Sequence, residues 1–265
     1  MSAQHDAYID GLANLQKNEV LLIFDFSPYK IGSNRDRTLA EAFSGVQCLH
    51  FCAYCGRGDG EDSELTYYDY FASAKNDYYF FRNAMIDLTG RPEFKDKIIT
   101  QYWSDGGPKH FKTNRSILFA IVELPLHYEW EVWPTWNFFV SHHGKSLCDA
   151  HASHCKSLFR RLAIEGTSIT GAAGYVHVLN NPQTWRKTKE ERAALFRKRD
   201  EPRPIVAVHL QDSDTTEKYE WSDMVAVRIY HCWKCTGNTL KNKFGTSTRL
   251  TQVSLRRVRR RIQSS

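Results

Sequence analysis

The sequence lacks the long apolar runs and the terminal signals of membrane and secreted proteins. No stretch of its 265 residues approaches the ~18 consecutive apolar residues that a membrane-spanning helix requires. Residues 1–6 do not have the charged, apolar and small-residue layout of a signal peptide. We therefore expect a soluble, intracellular protein that does not associate with membranes.

The sequence also lacks an even set of cysteines and the composition of a disordered chain. Seven cysteines in a chain of this size do not read as a secreted disulfide framework, so we expect reduced thiols. Hydrophobic residues make up 42% of the chain and aromatic residues 13%, which is ample for a packed core.

The charge is unbalanced towards basic residues. The formal net charge is +6, and the excess is concentrated in residues 186–203 and in the tail at 256–261. This asymmetry favours a polyanionic partner, although a solvated basic face is the simpler alternative. The tail, with Arg256, Arg257, Arg259, Arg260 and Arg261, is predicted to bind nucleic-acid backbone and is also a candidate nuclear-localisation signal.

The order of predicted elements indicates a mixed α/β sheet. Three strands that form a meander come first, and two further strands alternate with helices. The predicted strands are 19–26, 46–54, 64–72, 98–103 and 133–141, and the predicted helices are 6–18, 76–88, 115–123 and 146–164. We expect a core over residues 1–166 and a small, basic α+β extension over residues 167–265.

Three aspartates occupy comparable places in these elements. Asp25 interrupts the apolar run of the first strand, Asp105 ends the fourth strand, and Asp149 lies in the first turn of the last core helix. A carboxylate in a buried strand is costly unless something compensates it, and a shared pair of divalent cations would do so. Taken singly, each has a simpler explanation: an exposed strand end, a common Ser-Asp-Gly turn, and a favourable charge at a helix start.

This arrangement predicts two-metal phosphodiester chemistry. Two Mg²⁺ or Mn²⁺ ions held by carboxylates can activate a nucleophile and stabilise the leaving oxygen. We expect Asp25 to bridge the ions, while Asp105 and Asp149 each complete one coordination sphere. His143 and Lys145 are expected to assist at the phosphate.

Basic residues next to these motifs are candidate nucleic-acid contacts. Lys109, His110 and Lys112 directly follow the glycines after Asp105, and Lys156 lies on the helix of Asp149.

Three segments resemble a family of transposon-derived proteins with an RNase H-like DDE/D transposase core. The segments are DFSPY at Asp25, WSDGGPKHFK around Asp105, and FFVSHHGKSLCD before Asp149, with Lys156 beyond it. The family pattern reads approximately DFxENY, SDGxxxQFKN and SHGKGxxDGxGGxxK, and the three acidic positions match.

The resemblance covers about residues 19–165 and implies an RNase H-like five-stranded mixed sheet flanked by helices. It further implies a transposase-derived nuclease or strand-transfer domain that acts on DNA, with a homodimer as one expected assembly. Ser27 and Pro28 replace Glu and Asn of the first motif, and His110 replaces Gln of the second. The alternative is therefore an inactive nucleic-acid-binding or interaction module with the same fold.

The remaining residues with a possible role are several cysteines, a histidine and one tryptophan. Two CxxC pairs, at Cys52 and Cys55 and at Cys232 and Cys235, could form a structural zinc site, though no spacing rule supports that pairing. A zinc-stabilised scaffold is therefore a third, weaker interpretation. His151 and Cys155 are expected to pack in the core, and Trp103 is the aromatic residue expected nearest to a nucleotide.

Overall fold

The structure is a computed structural model, and it describes the segments that form the sheet and its covering helices. These segments are residues 3–27, 29–30, 47–57, 66–72, 78–105, 111, 113–139, 147–167, 169, 171–182, 205–210, 232–236, 239–242 and 247–249. Most of the predicted basic extension, including the basic run at 186–203, lies outside these residues.

In the part of the chain that the structure describes, ten strands form the sheet. They are β1 (Glu19–Phe26), β2 (Tyr29–Lys30), β3 (Gln47–Arg57), β4 (Thr66–Ala72), β5 (Ile98–Asp105), β6 (Thr135–Phe139), β7 (Ile205–His209), β8 (Cys232–Thr236), β9 (Thr239–Asn242) and β10 (Ser247–Arg249).

The sheet is mixed, as the element order predicts. Its spatial order is β10-β9-β8-β6-β5-β1-β3-β4-β7, with β2 paired to β3. Strands β1, β3 and β4 are antiparallel neighbours, whereas β1, β5 and β6 run parallel. The five predicted strands are present and adjacent to one another. The sheet is wider than predicted, because β7 adds to β4 and β8 adds to β6.

Five helices within the described segments accompany the sheet. They are α1 (Ala3–Ala13), α2 (Tyr78–Thr89), α3 (residues 114–127), α4 (Leu147–Ile164) and α5 (Gly171–Asn180). Helix α3 consists of an α-helical segment Asn114–Leu118, a π-helical segment Phe119–Glu123 and an α-helical segment Leu124–His127. A short 3₁₀ turn, Pro92–Phe94, precedes β5. Among the described residues, no helix has the length and apolar character needed to cross a membrane.

The main core lies on the sheet face that α2 and α3 cover. Alternate residues of β1 point into it, because side chains along a strand alternate between the two faces. Phe24 and Trp136 are fully buried there, with ring centroids 5.3 Å apart. Phe81 of α2 and Phe119 of α3 pack against the same face.

The opposite face carries α1, α4 and α5. Tyr8 of α1 packs edge-on against Trp103 and Phe139, beside the intervening residues of β1. Helix α4 lays its apolar stripe over the carboxyl end of β1 and over β4, while α5 packs on β4 and β7. This second face is where the predicted aspartates meet.

Candidate active site

Asp25 and Asp105 lie at the carboxyl ends of two neighbouring parallel strands. The pairing of β1 with β5 joins Phe24 to Ser104, so the next residue on each strand is one of the two aspartates. Parallel strands end at the same edge of a sheet, and this pairing brings two carboxylates to one edge.

The alternation of side chains places both aspartates on the face that α4 covers. Asp25 follows Ile23 by two residues and Asp105 follows Trp103 by two residues. Ile23 and Trp103 belong to one apolar cluster under α1 and α4. Residues two apart on a strand share a face, so both carboxylates point towards α4.

Helix α4 brings the third carboxylate to the same place. Its first turn contains Asp149. The preceding residue, Cys148, is fully buried, and its thiol donates a 3.3 Å hydrogen bond to the carbonyl oxygen of Ile23. This bond ties the start of the helix to β1, two residues before Asp25.

The three carboxyl groups interact electrostatically. The pKa of Asp25 is raised to about 8, first by burial and then by the charge of Asp149, by a hydrogen bond between the two side chains, and by the charge of Asp105. The backbone N–H of Phe26 opposes this shift by donating a 2.7 Å hydrogen bond to Asp25 Oδ1. Asp25 therefore keeps its proton near neutral pH unless a cation offsets its neighbours.

Replacing Asp25 by asparagine is expected to change how stability depends on pH in protein freed of metal by EDTA. The native aspartate holds its proton up to about pH 8, whereas an unfolded aspartate releases it near pH 4. The free energy of unfolding of the wild type therefore falls as the pH rises through this window. We expect the free energy of unfolding of Asp25→Asn, measured in urea titrations, to gain about 5 kcal/mol on that of the wild type between pH 4 and pH 8.

Asp96→Asn is the matched control for this titration, because Asp96 is an exposed aspartate that lies before β5. It makes the same chemical substitution at a site away from the three interacting aspartates. An advantage of Asp25→Asn that stays constant across this pH range would show that Asp25 is not held protonated by its neighbours.

A second group of ionisable side chains lies two strands away on the same face. In the strand pairing Asp25 is opposite Cys52, and Cys52 is opposite Asp69, which places Asp69 roughly 10 Å from Asp25 across the sheet. Asp69 is fully buried in the middle of β4. One of its oxygens contacts His50 Nε2, and the other lies 2.8 Å from His151 Nε2.

This buried group could hold a metal ion. The ligand atoms of Asp69, His151 and Cys155 all lie within 4.8 Å of one another, and Cys155 Sγ is 3.4 Å from His151 Nε2. Among the described residues, the oxygens of Asp25, Asp105 and Asp149 are not grouped as tightly as this. Two ions spread over three carboxylates do not require such close mutual contacts.

Burial and the neighbouring charges shift the titration of this second group. The burial of Asp69 opposes its ionisation, but His151 and His50 outweigh burial and hold its pKa well below the usual range. Burial lowers the pKa of His50 despite the contact with Asp69. Burial, together with the charge of Asp69, raises the pKa of the Cys155 thiol. His151 and Cys155 are buried, as their positions on the helix stripe predict.

Most of the predicted flanking residues lie outside the described part of the chain. Lys109, His110, Lys112, His143, Lys145 and the five tail arginines Arg256, Arg257, Arg259, Arg260 and Arg261 belong to this group. Lys156 is described: it is exposed on α4, and its positive charge contributes to lowering the pKa of His50.

The prediction that Trp103 lies near a nucleotide is wrong. The side chain is only 4% exposed, and its Nε1–H donates a 2.9 Å hydrogen bond to Gln101 Oε1. Its ring packs on Phe139 and Tyr8 under α1, so it has no free face for stacking on a base.

The strand order separates the two CxxC pairs. Cys52 and Cys55 belong to β3, whereas Cys232 and Cys235 belong to β8. Strands β1, β5 and β6 lie between them, which corresponds to roughly 19 Å at the usual strand spacing. A single Cys₄ zinc site requires sulfurs about 2.3 Å from one ion, so the two strands are too far apart to share it.

Comparisons with known proteins give one family and one distant structure. The model of a family described as a domain of unknown function (DUF8701) matches residues 4–189. No curated protein sequence gives a significant match. Among solved structures, a Drosophila P element transposase strand transfer complex is 11% identical, with a TM-score of 0.24.

The likeness to that complex covers 53% of this chain and 34% of the other, so this chain spans about a third of the length of the structure it matches. A likeness at this level is too weak to support conclusions about fold or function.

Proposed function

The chain belongs to the DUF8701 family, and we propose from the geometry of its own residues that it is an RNase H-like, transposase-derived domain that cleaves or joins DNA phosphodiesters. The observation that carries this proposal is the meeting of three carboxyl groups from three separate elements. Asp25 hydrogen-bonds to Asp149 and interacts with the charge of Asp105 at one edge of the sheet.

The topology of the central sheet supports the RNase H-like part of the proposal. The five central strands lie in the order β4-β3-β1-β5-β6, with an antiparallel half and a parallel half. This is the arrangement expected of an RNase H-like sheet. Strands β1 and β5 and helix α4 each supply one acid, which is also the distribution that the motif resemblance implies.

The donor set fits magnesium or manganese. Asp25, Asp105 and Asp149 offer only carboxylate oxygens, the ligands that hard divalent cations prefer. Burial and then the charges of Asp149 and Asp105 raise the pKa of Asp25, and a bound cation relieves this cost of ionisation. When bound, a pair of such ions supplies activation of the nucleophile and stabilisation of the leaving oxygen.

The remaining residues of the site have positioning and binding roles. The N–H of Phe26 orients the side chain of Asp25, and the thiol of Cys148 ties the start of α4 to β1 beside the acids. The outer face of α4 carries the exposed cations Lys156 and Arg160, which would contact the DNA backbone without reading its sequence.

The predicted contacts outside the described residues remain part of the proposal. Lys109, His110 and Lys112 would bind backbone close to Asp105, and His143 and Lys145 would act at the phosphate. The five tail arginines would add affinity for DNA and direct the protein to the nucleus.

Nicking of supercoiled plasmid DNA by the purified full chain tests this proposal. We expect cleavage with Mn²⁺ or Mg²⁺ and none in EDTA. Salt-sensitive DNA binding without cleavage under any divalent ion would instead favour the inactive module, as the changes at Ser27 and Pro28 would allow. The absence of both cleavage and DNA binding would contradict both interpretations.

A further inference from the structure

The buried group around Asp69 has features that packing alone does not require. Asp69, His50 and His151 are almost completely shielded from solvent, with exposed side-chain fractions of 0%, 0% and 4%. They come from three elements, β4, β3 and α4. Removing charged and polar groups from water is costly, so such a cluster needs an internal compensator.

The aromatic neighbours of the cluster fix the orientation of both imidazole rings. His50 stacks on Phe71 with ring centroids 4.5 Å apart, and His151 stacks on Tyr67 with centroids 3.9 Å apart. Both Nε2 atoms therefore point at the same carboxylate, one at each oxygen. Rings held in this way cannot rotate freely to find other partners.

One side of this arrangement also contains a thiol. Cys155 lies one helical turn after His151, and its Sγ is 3.4 Å from His151 Nε2. In a tetrahedral zinc site with Zn–N near 2.0–2.1 Å and Zn–S near 2.3 Å, these two atoms would be roughly 3.5 Å apart. The nitrogen–sulfur edge of such a site is therefore already present.

We propose that Asp69, His151 and Cys155 bind one zinc ion, with His50 orienting Asp69 from its other oxygen. Nitrogen, sulfur and oxygen donors together favour zinc over magnesium or calcium, which prefer oxygen alone. The negative charges of the carboxylate and of a thiolate would balance the two charges of the ion. A water molecule would take the fourth position, and the 2.8 Å contact between Asp69 and His151 would open to roughly 3.4 Å.

The role of His50 in this site is that of an outer hydrogen-bonding partner. Carboxylate ligands are commonly held by a second residue, and loss of such a partner weakens metal binding 10–100-fold. The bound ion would tie α4 to β4 independently of any ion at Asp25, so this inference does not rest on the proposed nuclease function.

The zinc content of the purified full chain, measured by plasma mass spectrometry after refolding with Zn²⁺ and removal of free metal, tests the proposal. We expect Cys155→Ser to contain about one equivalent less zinc than the wild type. Cys148→Ser is the matched control, because Cys148 is equally buried on the same helix but bonds to a backbone carbonyl. Both variants keep the two CxxC pairs, so any zinc bound by those pairs is the same in both and cancels in the comparison.

Two further variants keep the test decisive if Cys155→Ser does not fold. His151→Gln retains a hydrogen-bond donor for Asp69 but not a zinc ligand, and it should lose the same equivalent. His50→Gln should keep the ion with an affinity 10–100-fold lower. A folded wild type that binds no zinc, or equal zinc in His151→Gln and Cys148→Ser, would overturn the proposal.

Discussion

Replacing Asp105 by asparagine is expected to reduce metal-dependent DNA nicking at least about 10³-fold. The substitution keeps the shape of the side chain but removes one of the three negative charges that would hold the ions. Electrostatic stabilisation by a bound cation contributes several kcal/mol to phosphodiester cleavage, and about 4 kcal/mol corresponds to that factor. The measurement is the initial rate of nicking in Mn²⁺, with folding checked by circular dichroism.

The control for this loss is Asp96→Asn, which alters an exposed aspartate and should nick at the wild-type rate. Because a contaminating nuclease would be present in both preparations, only a loss confined to Asp105→Asn assigns the activity to this chain. Equal rates in the two variants would contradict the role of Asp105.

Replacing Asp69 by alanine is expected to lower the free energy of unfolding by about 3–5 kcal/mol. The change leaves His50 and His151 buried without the carboxylate that accepts hydrogen bonds from them. Removing one partner of a buried ionic group has a cost of this size, because the remaining polar atoms stay shielded from water. Urea denaturation in the presence of EDTA measures this cost without any contribution from bound metal.

A second ion pair offers the comparison. Asp87 pairs with Arg91 at 2.8 Å and accepts a 2.7 Å hydrogen bond from the Tyr70 hydroxyl, but its side chain is 40% exposed, so Asp87→Ala should cost less, about 1–2 kcal/mol. Similar losses from Asp69→Ala and Asp87→Ala would mean that the cluster around Asp69 adds little to stability.

Much of the fold and of the acidic site follows from local sequence patterns. The continuous apolar run of β1 predicts a strand buried on both faces, and its pairing between β3 and β5 fits that expectation. Asp149 lies one residue away from the apolar stripe of α4, to which Cys148 belongs. That offset leaves it beside Asp25, while its neighbour Cys148 is buried.

The buried group at Asp69 could have been found by the reasoning that was applied to Asp25. Asp69 lies in the strand TYYDYFA, in which every residue is buried. A carboxylate in the middle of such a strand demands a partner just as one at its end does. Its partners, His50 and His151, are 19 and 82 residues away along the chain, so no local spacing reveals them.

The β8–β10 edge of the sheet could not be predicted from local pattern. Strand β8 contains two cysteines, a tryptophan and a lysine, and it has neither an apolar run nor a clear alternation. It forms a strand because it pairs with β6, which is a tertiary contact. The prediction for Trp103 failed for a related reason, because the burial of its side chain depends on the packing of α1 across the sheet.

The most direct measurement of the central claim is the anomalous scattering of manganese in a crystal grown with Mn²⁺. The account predicts manganese peaks bounded by the carboxylates of Asp25, Asp105 and Asp149. Peaks elsewhere with none at these three residues, or carboxyl groups too far apart to share ions, would contradict it.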